Sequence, residues 1–225
     1  MRVTAIALDI DGTLTDPKRR VNLEAIAALR KAEERGVKVI LVSGNVLPIA
    51  YGLSTFIGAS GPVVAENGGV VKYGREVRVL GDRKEALSAY EHLKGKMPAR
   101  LIFSDRWREA EVAIEPDLDL EEVKKELDTF NVTVETTGFA FHIFTKDCHK
   151  GAGLAHALKW MGIPVSRCMV VGDQDNDIPM IQLAGIGVAV ANGSPRLQAS
   201  ADHVTKNEDG LGVAEAVERF ILSDQ

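Results

Sequence analysis

Asp9 and Asp11 stand one residue apart at the end of an apolar run and are followed at once by Gly12 and Thr13. A second acidic stretch, Gly172-Asp173-Gln174-Asp175-Asn176-Asp177, follows another apolar run, Met169-Val170-Val171. Carboxylates set this way can attack an electrophile, pass a proton, or hold a hard cation through oxygen. Each acid taken alone reads equally well as a solvated loop residue. From average residue usage, however, DxDGT and GDxxND each arise by chance on the order of once in 10^5 positions. Both in one chain, each just after an apolar strand, point to a built site. Two further polar residues share that placement. Ser43, with Gly44 and Asn45, follows the run Val37–Val42, and Lys150 opens an apolar helical stretch.

Residues so far apart in the chain meet only if strands deliver them to one edge. Val3–Leu8 has the pattern of a strand buried on both faces, and Gly12 lets the backbone turn after it. A helix capped by Asn22 and closed near Gly36, the strand at Val37–Val42, a helix over 47–56 and a strand at Val63–Ala65 follow. Asn67-Gly68, with Val70-Val71 beyond, signals a hairpin. This alternation predicts an α/β fold, a doubly wound parallel sheet with chemistry at the carboxyl ends of its strands. From Gly81 the pattern changes. A charged helix over 83–93 precedes strands at 100–103 and 111–114; a helix over 120–130 precedes strands at 132–135 and 139–144. Helix, two strands, helix, two strands predicts a smaller α+β unit inserted into the first. The expected organisation is core residues 1–81, insert 82–146 and core residues 147–225. The resumed core holds a helix from Lys150 closed by Gly162, strands at 169–171 and 186–190, and a last helix over 213–222.

The chain has 225 residues, 45% hydrophobic and 26% charged, with a net charge of −5. An acidic chain without a basic stripe is not expected to bind nucleic acid. No apolar run approaches the roughly 20 residues that span a bilayer, so no membrane partner is expected. The first strand begins at once, leaving no room for a signal peptide, and a cytoplasmic protein is expected. Cys148 and Cys168 form no CxxC pair.

Taken together, Asp9-Ile10-Asp11-Gly12-Thr13, Ser43, Lys150 and Gly172–Asp177 resemble the four motifs of the haloacid-dehalogenase-like phosphohydrolase superfamily. The matching core covers about two thirds of the chain. The insert resembles the αββαββ cap of the branch that holds sugar-phosphate phosphatases and archaeal phosphoglycolate phosphatases. Within it, the short cap, Ser43-Gly44-Asn45 and Asn67-Gly68-Gly69 are most similar to the latter group, although many relatives have Arg where Asn45 stands.

The resemblance implies that Asp9 is a nucleophile forming an aspartyl-phosphate, with Asp11 as general acid and base. Dehalogenases and P-type ATPases of the superfamily lack that second acid, so Asp11 points to a phosphatase or mutase on phosphate esters. Ser43, Gly44 and Lys150 are expected to hold phosphoryl oxygens. Carboxylates about 4 Å apart repel by roughly 4 kcal/mol per pair at an effective dielectric near 20. Mg2+ on Asp9, the main-chain carbonyl of Asp11 and Asp173 relieves this, with Asp177 as ligand or support and Thr13 and Asn176 behind them. Asp175 is expected to complement a helix dipole, and Asn192 either lines the site or serves a turn. His142, His149 and His156 are too scattered for a metal site. Trp107 is expected at an exposed hairpin tip between Arg106 and Arg108, a solvated charge pair. Alternatively these arginines, with Lys146 or His142, meet a substrate carboxylate or hydroxyl. The expected partner is a small phosphorylated metabolite, 2-phosphoglycolate first, with a sugar phosphate or a mutase reaction as alternatives. A phospho-aspartate switch is the remote one. Monomer and homodimer both fit.

Overall fold

The computed structural model describes residues 2–223. Strand β1 (Ala5–Leu8) is buried at all four residues. Asn22 caps helix α1 (Leu23–Glu34), accepting the Ala25 amide at 3.0 Å. Then come β2 (Lys38–Val42), α2 (Leu47–Ile57) with Pro48 in its first turn, and β3 (Val63–Ala65). A tight turn over Glu66–Gly68 reverses the chain into β4 (Val70–Tyr73), and β5 (Glu76–Val79) pairs antiparallel beside it. The next stretch contributes α3 (Arg83–Lys94), β6 (Val112–Ile114), α4 (Leu120–Glu126), β7 (Val132–Thr136) and β8 (Phe141–Thr145). The chain ends through α5 (Lys150–Met161), β9 (Cys168–Gly172), α6 (Ile178–Leu183), β10 (Ile186–Ala189), α7 (Pro195–Ser200), β11 (His203–Val204) and α8 (Asp209–Val217).

The large sheet has the order β11-β10-β9-β1-β2-β3-β4-β5, parallel from β11 to β3. Helices cover both faces. Leu8, Leu29, Leu41 and Val213 pack on one side, and Ala7, Ile40, Leu154 and Val170 on the other. This is the doubly wound arrangement expected from runs apolar at every position. Leu8 is in register with Leu41 and with Val171, so three neighbouring strands end at one level. Asp9 therefore emerges beside the ends of β2 and β9, with Ser43 and Asp173 next along each chain. No described helix is long and apolar enough to cross a membrane.

The second sheet is antiparallel, order β6-β8-β7, with α3 and α4 packed on it through Ala89, Leu93, Val123 and Ile143. It has three strands where four were expected. Leu101 makes only a bridge to Ile114, because Asp105 turns its carboxylate inward to take the Ala113 amide at 2.9 Å. A 3-10 turn over Phe103–Trp107 replaces the expected strand end. Helix α4 also stops at Glu126, short of the expected Phe130, and α8 begins at Asp209, before the expected Val213.

Candidate active site

Lys150 is the first residue of α5, whose cap is His149. Its ammonium is buried and bonds Asp9 Oδ1 and Asp177 Oδ1, each at 2.7 Å. Carboxylate oxygens of Asp9, Asp173 and Asp177 all lie within 4.8 Å of one another. Burial pushes the Asp9 carboxyl up; Lys150 pulls it down, but Asp177 and Asp173 push it further, and it rests well above the ordinary carboxylate range. Burial pulls the Lys150 ammonium down, yet Asp177 and Asp9 together hold it above its usual value, a locked cation. Asp173 is pushed up to about 6 by burial and by Asp177, against the hydrogen bonds it accepts. Those come from the Thr13 hydroxyl at 2.7 Å and Gln174 Nε2 at 2.8 Å. Asp177 Oδ2 takes the amides of Asp173 and Gln174 at 3.0 and 3.1 Å, so this acid shapes the loop after β9 while it steers Lys150.

Asp11 stands apart from this cluster. Its carboxylate accepts from Arg19 Nε at 2.8 Å and Asn45 Nδ2 at 2.5 Å. Asn45 also donates to the Ser43 hydroxyl oxygen, through its amide at 3.0 Å and its side chain at 3.1 Å, so Ser43 and Asp11 are joined through one residue. A cavity of about 580 Å³ opens between the two sheets, lined by Asp11, Arg19, Thr137, Phe139, Asp173 and Gln174, among others. Arg19 was not foreseen as a site residue. Nothing in Lys18-Arg19-Arg20 distinguishes it, and only the turn aims it at Asp11, whereas Arg20 pairs back to Asp16.

The remaining residues divide. Asn192 ties the site loops, donating to the Gly12 carbonyl at 2.8 Å and accepting the Asp209 amide at 2.7 Å. Asn176 makes no hydrogen bond to the acids among the described residues, and its buried Oδ1 has no partner. Asp175 pairs with Ser194 and Arg196, away from the cluster.

Trp107 is exposed as expected, but the solvated charge pair beside it is not found. Arg106 is stacked on Phe103 and Trp107, but Arg108 is buried. Arg108 pairs with Glu111 and donates to the Gly44 carbonyl at 3.0 Å. Around this contact lie Asn67, which donates to Glu111 at 2.9 Å, and His142, bonded to Glu111 and Thr137. Glu66 takes the Glu109 and Ala110 amides. Burial holds His142 well below its ordinary value, reinforced by Arg108 and Lys150, so the ring is neutral. Lys146 is exposed. Burial pushes the Cys148 thiol up to about 12, which makes it a poor nucleophile.

Residues 6–106 and 105–217 match the haloacid dehalogenase-like hydrolase family. The chain is 51% identical over 217 residues to the phosphoglycolate phosphatase of Methanothermobacter thermautotrophicus, covering 96% of this chain and 98% of that one. It is 41% identical to the phosphoglycolate phosphatase of Archaeoglobus fulgidus, covering 95% of each. A solved structure from Thermoplasma acidophilum superposes with a TM-score of 0.93 at 29% identity, over 99% of this chain and 100% of that one.

Proposed function

The chain belongs to the haloacid dehalogenase-like hydrolases, and from that premise we propose a Mg2+-dependent phosphomonoesterase that converts 2-phosphoglycolate and water to glycolate and phosphate. The observation that carries this reading is the buried Lys150 ammonium shared by Asp9 and Asp177, with Asp173 alongside and lining a cavity together with Asp11. The two archaeal relatives are named phosphoglycolate phosphatases, which supports the ester.

An Asp9 oxygen attacks phosphorus in line, the bond from phosphorus to the ester oxygen breaks, and Asp11 protonates the departing alkoxide. Water, deprotonated by the same Asp11, then cleaves the aspartyl-phosphate and returns Asp9 as a carboxylate. Lys150, the Ser43 hydroxyl and the Gly44 amide hold the phosphoryl oxygens. The three clustered carboxylates outnumber the one ammonium, and an all-oxygen donor set of net negative charge suits a hard divalent cation. Asp9, Asp173 and the Asp11 main-chain carbonyl would hold Mg2+, with Asp177 completing the set or supporting it. When bound, the ion neutralises charge that otherwise opposes a phosphate dianion. Residues 82–146 act as a cap that closes over the substrate, and residues 1–81 and 147–225 form the core. We place the enzyme in the cytoplasm, as a monomer or homodimer.

The test is phosphate release from a panel of monoesters, with and without Mg2+, for the wild type and Asp9→Asn. Release is expected to need Mg2+, to be highest in kcat/KM for 2-phosphoglycolate, and to fall by roughly 10^3-fold or more in Asp9→Asn. A sugar phosphate ranking first would replace the substrate and keep the reaction. Turnover that survives Asp9→Asn would overturn the mechanism.

A further inference from the structure

We infer that Arg19 selects a substrate bearing a second anion, its guanidinium taking the carboxylate of a small phosphorylated acid. The inference rests on the phosphatase reading and names the residue that chooses the ester.

Charge inside the cavity is lopsided. Asp11, Asp16, Asp173 and Asp209 line it, and Arg19 is the only cationic side chain among the lining residues. Lys150 and the cation that Asp9 and Asp173 would hold answer the phosphoryl group, but of the charged residues lining the cavity only Arg19 attracts a second negative group on the substrate. Arg19 is also presented for docking. Its side chain is 53% exposed, Nε bonds Asp11 at 2.8 Å, and Nη2 makes a long bond of 3.3 Å to Asn45. Nη1 makes no hydrogen bond among the described residues. The guanidinium lies over the Phe139 ring at 4.7 Å, which fixes its plane from the opposite wall, in the loop between β7 and β8.

The backbone is committed as well. Arg19 has φ +59°, a left-handed conformation unusual for a residue with a Cβ. Asp16 holds that turn, its Oδ1 accepting the Lys18 and Arg20 amides at 2.9 and 3.0 Å. Strain kept at one residue of a cavity wall, with both neighbours tied down, fits a side chain whose direction matters.

Connectivity supplies the final step. In 2-phosphoglycolate one methylene separates the ester oxygen from the carboxylate carbon. Asp11 protonates that ester oxygen, and Arg19 is one hydrogen bond away from Asp11. A carboxylate one carbon beyond the ester oxygen therefore falls within reach of the guanidinium edge turned away from Asp11, which can pair with it in one plane.

The test compares kcat/KM for 2-phosphoglycolate, ethyl phosphate and 2-aminoethyl phosphate in the wild type, Arg19→Gln, Arg19→Lys and Arg19→Glu. Each ratio is taken within one preparation, so loss of folded protein cancels. The preference for 2-phosphoglycolate over ethyl phosphate should fall roughly 10- to 100-fold in Arg19→Gln and less in Arg19→Lys. Arg19→Glu should shift preference toward the cationic 2-aminoethyl phosphate, a gain that misfolding does not produce. If Arg19→Gln keeps the wild-type ratio to within about 3-fold, the inference fails while the phosphatase reading stands. A wild type that prefers ethyl phosphate to 2-phosphoglycolate overturns the substrate reading and this inference with it.

Discussion

Asp173 is 2% exposed and faces Asp177, and its carboxyl is pushed up to about 6. Between its ordinary value near 4 and that raised value, the native state keeps a proton that the unfolded chain has released. Stability therefore falls as pH rises through this window, and the ionised native form at pH 7 carries the full penalty. Asp173→Asn removes it. In the presence of a chelator, the variant is expected to be more stable than wild type at pH 7, by up to about 3 kcal/mol. The difference should shrink toward pH 4, as read by urea unfolding at several pH values. A pH-independent difference would contradict the assignment. At this scale the motif acids were legible because the turn after a buried strand sets their placement locally. Arg19 and Arg108 were not, since the contacts that fix where each guanidinium lies include Phe139 and the Gly44 carbonyl, in distant parts of the chain.

At the scale of the element, the turn after β1 does more than end a strand. Gly12 has φ +87°, and a Cβ there would stand 2.4 Å from Asp173 Oδ2. An alanine would be strained in its backbone and would push Asp173 off its Thr13 hydrogen bond. Gly12→Ala is expected to lower stability by roughly 1–3 kcal/mol and kcat by more than about 10-fold, measured by thermal unfolding and steady-state assay. Unchanged kcat would mean the close approach to Asp173 is irrelevant. The buried strands β1, β2, β3, β9 and β10 were readable because they are continuous apolar runs. Strand β5 is exposed at every residue, β11 has two residues, and α6 and α7 have six each, too short or too polar to print a period. The expected strand at 100–103 failed for a different reason. Leu101, Ile102 and Phe103 are apolar, but Phe103 is 69% exposed, and the Asp105 carboxylate occupies the Ala113 amide where a ladder would continue.

At the scale of the whole molecule, the two sheets meet through buried polar groups beside a small apolar cluster of Ala65, Val70 and Ala110. Arg108 and Glu111 lie fully buried beside Gly44 and Asn67 from the large sheet's loops, and Glu66 receives main-chain amides from the insert. Burial raises the Glu66 carboxyl above its ordinary range, against the pull of the Ala110 amide and Arg108. Such a network is worth little against an apolar alternative but is costly to break singly. Arg108→Ala is expected to destabilise by roughly 3–5 kcal/mol, leaving Glu111 without its cation, and adding Glu111→Ala should recover part of that loss. A denaturant double-mutant cycle measures the coupling; additive losses would mean that the pair is not the join.

The sequence by itself determined the sheet and the identity of its acids, because burial on both faces and the turn after each strand are local consequences of residue type. The changed pattern after Gly81 also carried the smaller α+β unit, whose antiparallel sheet the fold shows. Tertiary structure alone decided that Lys150 bridges Asp9 to Asp177, that Asp11 is held by Arg19 and Asn45, and that Arg108 faces inward on Gly44 rather than outward to water. Those pairings join residues 8 to 141 positions apart. Hydrogen bonds and ion pairs of that kind are selected by the register of strands and by which surfaces become buried together, and neither is written in any one segment.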